Sequence, residues 1–223
     1  MTIIRFFRVC VIFATAALFW QGCAKTNPLL SAVSEPQVQF RSWVDDFESG
    51  GAENKLGGQW FVFVDSSGSL IDPAPPASGK SLPMYPQGSP LSPKFSFRFA
   101  GILAPPAPQR IIFAGFGCTL NEAGTTVDLS AFHGVQFYCR SGIANKMVFI
   151  LKKHAITASN SDFQYSFQVS SDWVIVRIPF SDLKQPAATM PISFSAADID
   201  SLQWIPATGE SEFDFQIDDV NFY

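Results

Sequence analysis

Five carboxylates crowd two short stretches of the chain: Asp45, Asp46 and Glu48 in DDFE (45–48), and Asp218 and Asp219 in FQIDDVNFY (215–223). If the first and last strands of the fold are neighbours, these hard oxygen donors meet in one place. Such density suits Ca²⁺, which accepts six to eight oxygens in a flexible geometry. Asp46, Glu48, Asp218 and Asp219 are therefore a candidate structural calcium set. The same acids also read as solvated or loop-bonded carboxylates flanking a core Phe47, and both readings stand at this point. A glycosidase-type acid pair would need a cleft and a set separation, and nothing in the sequence places these acids in one. His133 and His154 are far apart, with neither a nucleophile turn nor a zinc spacing. GGAENKLGG (50–58) lacks the strand-before, helix-after context of a phosphate loop. No catalytic residue is assigned and no enzyme is expected.

A second set of side chains has a different chemistry. In GVQFYCR (134–140), Val135, Phe137 and Cys139 alternate with Gln136, Tyr138 and Arg140, so an apolar face opposes a polar one. KMVFILKK (146–153) offsets Lys152 toward such a polar face, and FQYSFQV (163–169) alternates Tyr165, Phe167 and Val169 with Gln164, Ser166 and Gln168. If these strands are adjacent, Tyr, Arg, Lys and Gln converge. Aromatic faces that stack on pyranose C–H surfaces, beside amides and guanidinium that bond hydroxyls, are what sugar binding uses. Tyr85, in LPMYPQG (82–88), is an exposed aromatic candidate. Gln136, Tyr138, Arg140, Lys152, Gln164, Gln168 and Tyr85 are thus candidate ligand residues, the alternative being a solvated sheet face. Trp43, Trp60, Trp173 and Trp204 lie beside apolar runs and read as packing residues.

The elements that must position these groups read as β throughout. QWFVFVD (59–65), KFSFRFAG (94–101), RIIFAGFGC (110–118), the three runs above, DWVIVRIPF (172–180) and FDFQIDDVNFY (213–223) show period-two alternation bounded by turn residues. DIDSLQWI (198–205) reads as a turn-to-strand transition. No stretch of ten residues carries a helical stripe. Seven or eight short strands make an all-β sandwich. Between Asp72 and Pro108 lie ten of the sixteen prolines, which mark long surface loops or edge positions. With 47% hydrophobic residues and 23 Phe, the chain has ample core. A net charge of −4 and no basic block beyond residue 8 argue against nucleic acid.

The N-terminus reads as an address. Arg5 and Arg8 flank the apolar run VCVIFATAALFW (9–20), too short to span a bilayer. Gly22-Cys23 then resembles a bacterial lipobox, although Trp20 and Gln21 depart from it. The expected organisation is a signal peptide at 1–22, a tether at 23–40 after lipidated Cys23, and a domain at 41–223. The lipid would hold a monomer at the cell envelope, on the outer membrane or cell surface, without spanning it. An ordinary secretory signal is the alternative. Cys118 and Cys139 remain in the domain, either bridged, as an exported compartment permits, or as buried thiols.

In order and spacing, DDFE (45–48), GGQW (57–60), VDLSAFHG (127–134), CRSG (139–142), WVIVRIPFSD (173–182) and IDD (217–219) are similar to the superfamily containing family 11 carbohydrate-binding modules and the complex I intermediate-associated proteins. The resemblance spans 45–223. It implies a galactose-binding-like jelly roll of two antiparallel sheets, often with structural calcium, and polysaccharide or glycan binding on a concave sheet face. It equally admits a protein-interaction or assembly domain with no sugar site.

Overall fold

The computed structural model of the chain describes residues 43–121, 125–143, 146–156, 162–186 and 192–223. The expected signal peptide, Cys23 and tether lie outside the described residues. Eleven strands are described: β1 (Trp43–Asp45), β2 (Trp60–Val64), β3 (Leu70–Asp72), β4 (Phe97–Ile102), β5 (Ala114–Thr119), β6 (Gly134–Ser141), β7 (Lys146–Lys153), β8 (Phe163–Gln168), β9 (Val174–Pro179), β10 (Ile199–Pro206) and β11 (Glu212–Phe222). All pairs are antiparallel. One sheet runs β3-β4-β11-β6-β9, with β1 on the C-terminal part of β11, and the other runs β2-β5-β10-β7-β8. The all-β jelly roll expected from the sequence is the fold observed.

Alternation explains the two sheets. Phe97 and Phe99 of β4, Phe137 of β6 and Phe213 and Phe215 of β11 point inward from one sheet; Trp60, Phe116, Phe149 and Trp204 point inward from the other, all at 3% exposure or less. The rings interlock around Trp204, which meets Phe116 in a stacked pair at 5.3 Å and Phe137 and Phe149 edge-on at 5.5 and 5.3 Å. Burying that much aromatic area is the main stabilising contribution.

Four details differ from expectation. Strand β1 ends at Asp45, and the chain turns at Phe47 (φ 53°) while its ring enters the core. The Asp45 carboxylate makes this turn by accepting the Phe47 N–H at 2.9 Å and the Trp60 indole N–H at 2.7 Å. Strand β10 is a full central strand; Asp198 (φ 61°) and a register shift after Ile199 interrupt the alternation that would have marked it. The 110–118 run pairs only from Ala114, leaving Ile111 exposed. Strand β3 is short and lies on the sheet edge, so period two had little to show.

Cys118 and Cys139 are free, buried thiols on opposite sheets, so of the two readings the structure holds the unbridged one. Burial pushes the Cys139 thiol up to about 12 and the Cys118 thiol upward as well. Neither carries thiolate near neutrality, which makes both inert.

Candidate functional site

The expectation that the polar strand faces adjoin is met for β7 and β8, which pair, and not for β6. Strands β6 and β7 follow one another in sequence but belong to different sheets. Gln136, Tyr138 and Arg140 therefore lie on the outer face of the six-stranded sheet, together with Tyr85, whose ring sits under the Arg98 guanidinium. Lys152, Gln164 and Gln168 lie on the outer face of the five-stranded sheet, on the opposite side of the sandwich. One ligand cannot touch both groups.

The six-stranded face is partly roofed by the proline-rich segment. Tyr85 and Ser96 exchange backbone hydrogen bonds at 2.8 and 3.0 Å. The Ser89 N–H donates to Asp218 at 2.7 Å, the Ser89 hydroxyl donates to Asp219, and the Ser92 hydroxyl donates to Asp219 at 2.6 Å. Asp219 adopts φ 52° at a bulge in β11, which turns both acids toward this loop.

The ends of the chain meet as expected, β1 pairing with β11. The candidate calcium acids nevertheless have protein partners of their own. Asp46 pairs with Lys55 at 2.6 Å, and Glu48 accepts the Lys94 and Phe95 N–H groups at 2.9 and 3.3 Å. Asp218 and Asp219 hold the serine loop. Among the described residues no three carboxylate, thiol or imidazole groups stand close enough to share an ion. The donor set fits hydrogen-bond acceptance and not a calcium cage.

These buried acids make stability depend on pH. Burial raises Asp218 to about 8, with the Asp219 carboxylate adding to it, and raises Asp45 to about 6 against its bond to the Trp60 indole. A carboxyl whose folded pKa exceeds its ordinary value of 3.8 binds protons more tightly in the native state. Its contribution is complete below about pH 4 and is lost as pH rises through the folded value. The melting temperature is expected to fall from about pH 4 to about pH 8 at constant ionic strength, through both carboxyls up to about pH 6 and through Asp218 alone above it. A melting temperature that is flat or rising across this range would contradict the assignment.

The outer face of the five-stranded sheet is built differently. Its side chains fall into cross-strand rows: Phe61, Gly117, Gln203, Ile150 and Gln164 form one, and Val148 sits between Ile205 and Ser166 in the next. Lys152 lies opposite Ser201 and is paired with Asp162 at 3.1 Å. Glycines at both outward positions in the middle of β5 strip this strand of side chains, and its neighbours fill the space. A Cβ on Gly115 would stand 2.4 Å from the Phe63 ring and 2.7 Å from Ile205; one on Gly117 would stand 2.4 Å from the Leu202 carbonyl and 2.8 Å from Gln203. The Phe61 and Phe63 rings thus lean over β5, 6.2 Å apart, and Phe113 extends the aromatic strip a further 6.2 Å from Phe63. The result is an aromatic and aliphatic floor edged by amides. Five strands make it about 19 Å across.

Phe61, Phe63, Gly115, Gly117 and Gln203 were not among the sequence candidates. The signal was present in AGFG (114–117), where glycine at every second strand position marks one face kept bare for close approach. Trp173 also differs from its expected packing role. It is half-buried on the outer side of the six-stranded sheet, with the Arg140 guanidinium over its ring at 5.0 Å.

Several solved structures share this architecture. The family 11 carbohydrate-binding module of a cellulosomal cellulase of Clostridium thermocellum matches with a TM-score of 0.58 at 18% identity, over 82% of this chain and 93% of that one. The Clostridium thermocellum family 11 module in complex with a β-1,3-1,4-mixed-linked tetrasaccharide matches with a TM-score of 0.54 at 17% identity, over 73% and 87%. A family 30 carbohydrate-binding module matches with a TM-score of 0.51 at 15% identity, over 73% and 91%. No family model and no curated protein matches the sequence. The two-sheet fold is the one these carbohydrate-binding modules share.

Proposed function

We propose that the domain binds a β-glucan-like polysaccharide, without cleaving it, on the outer face of the five-stranded sheet. The observation that carries this reading is the pair of Phe61 and Phe63 rings over the bare glycines of β5, with Gln203 in the same row and Gln164, Gln168 and Lys152 farther along the sheet. Aromatic faces take up the apolar side of a pyranose, and amides reach its hydroxyls. The fold supports the same reading, because a module of this architecture has been seen with a mixed-linked tetrasaccharide. Export and lipid attachment at Cys23 complete the proposal, placing a non-catalytic binder at the cell envelope.

Affinity electrophoresis of the unit Phe40–Tyr223 against a panel of neutral polysaccharides tests it. Retardation by at least one β-glucan is expected. No retardation by any member of the panel would overturn the glycan reading and favour an assembly domain.

A further inference from the structure

Arg98 of β4 and Arg140 of β6 both lie opposite Gln216 of β11, in one row across the outer face of the six-stranded sheet. Their Cα atoms are about 10 Å apart. Each guanidinium lies over an aromatic ring, Arg98 over Tyr85 at 5.7 Å and Arg140 over Trp173 at 5.0 Å. Their partners differ in charge. Arg98 donates from Nε and Nη2 to the two oxygens of Asp214 at 2.8 and 3.0 Å, and from Nη1 to Asp72 at 3.3 Å. Arg140 donates from Nε to the Gln216 side-chain carbonyl at 3.1 Å and from Nη2 to that of Gln87 at 3.0 Å. Both of these partners are neutral. None of the ion pairs among the described residues includes Arg140.

A guanidinium has five N–H donors, so three on Arg140 are left with no bond among the described residues. The indole and the two amides fix its plane, which removes the entropy cost a flexible arginine would meet on binding. A planar carboxylate matches such a fork with two parallel charge-assisted bonds, while a neutral hydroxyl does not. Two positions back along β6, Tyr138, Ile175, Leu91 and Trp43 line a cavity of about 200 Å³ that Arg140 does not itself line. Gln136, Asn221 and Asp219 line it too, the Asp219 carboxylate being held by the Ser89 and Ser92 hydroxyls. We infer that this face carries a second glycan site, separate from the five-stranded sheet, in which Arg140 takes the carboxylate of a uronic acid residue and Tyr138 borders its ring. That the acid belongs to a sugar rests on the glycan reading of the domain; the carboxylate chemistry rests on Arg140 alone.

The test is a calorimetric titration of the Phe40–Tyr223 unit with an oligogalacturonate and, separately, with the neutral mixed-linked tetrasaccharide. The oligogalacturonate is expected to bind, more weakly as salt is raised. Arg140→Gln is expected to weaken it about tenfold or more, and Arg140→Lys to fail to restore it, since an ammonium lacks the fork. Phe61→Ala is expected to leave it unchanged. Melting temperatures are read alongside. If Arg140→Gln does not fold, exposed Gln87→Ala decides: severalfold weaker binding supports the site and unchanged binding overturns it. No oligogalacturonate binding by the parent domain, or full binding by folded Arg140→Gln, also overturns it. Neutral glycan bound without oligogalacturonate removes this second site alone. Oligogalacturonate bound through Arg140 without neutral glycan removes the five-stranded reading alone.

Discussion

Trp204→Ala is expected to cost about 3–5 kcal/mol of folding free energy. The side chain is completely buried on β10, the central strand of the five-stranded sheet. Its rings touch partners from both sheets: Trp60, Phe116 and Phe149 from its own and Phe137 from the other. Removing it opens a cavity at the junction of the two layers, where neither sheet can relax without breaking strand pairs. Domains of this kind hold about 5–15 kcal/mol in all, so the variant should sit close to its unfolding transition. Urea denaturation measures this as a lowered midpoint at unchanged slope. Trp204→Phe should cost less than half as much. The Trp204 indole N–H is buried without a hydrogen-bond partner among the described residues, so phenylalanine forfeits volume but no hydrogen bond. A loss below about 1 kcal/mol for the alanine variant would show that the core does not centre on this ring.

Replacing both Phe61 and Phe63 by alanine should abolish binding of the neutral β-glucan while leaving the fold intact. Both rings are half-buried on the edge strand β2, outside the core between the sheets. Buried aromatic anchors at a binding surface contribute about 2 kcal/mol or more each, so the double variant should weaken binding by roughly a thousandfold, beyond what a titration detects. The inward neighbour Trp60 and its bond to Asp45 are untouched, so the melting temperature should change little. Gly117→Val offers the complementary perturbation, since its side chain would collide with the Leu202 carbonyl and Gln203. Binding that survives in the double variant would move the site off this sheet.

The sheets were legible because Phe95, Phe97 and Phe99, like Val135, Phe137 and Cys139, alternate without interruption, and period two is what a half-buried strand requires. The closing of the fold was legible too: DDFE and IDD were expected to meet, and β1 pairs with β11. The candidate site was only half legible. Residue types on β6, β7 and β8 were read well, but sequence alternation cannot say which sheet a strand joins, and the crossover between β6 and β7 sent Arg140 and Lys152 to opposite faces. The Phe61 and Phe63 platform was hidden for another reason. In WFVFV every residue is apolar, so the run has no polar face to reveal which side is outward. Only the β5 glycines, paired across the ladder with those rings, disclose it. The acids were hidden by long range, because Ser89 and Ser92 reach Asp219 across 130 and 127 positions.

The most direct measurement is amide chemical-shift mapping of the domain during titration with the mixed-linked tetrasaccharide. The shifts are predicted to gather at Phe61, Phe63, Gly115, Gly117 and Gln203 and to spare Gln136, Tyr138 and Arg140. Shifts confined to residues 136–140 and 173–177, or spread evenly over both faces, would contradict a glycan platform on the five-stranded sheet.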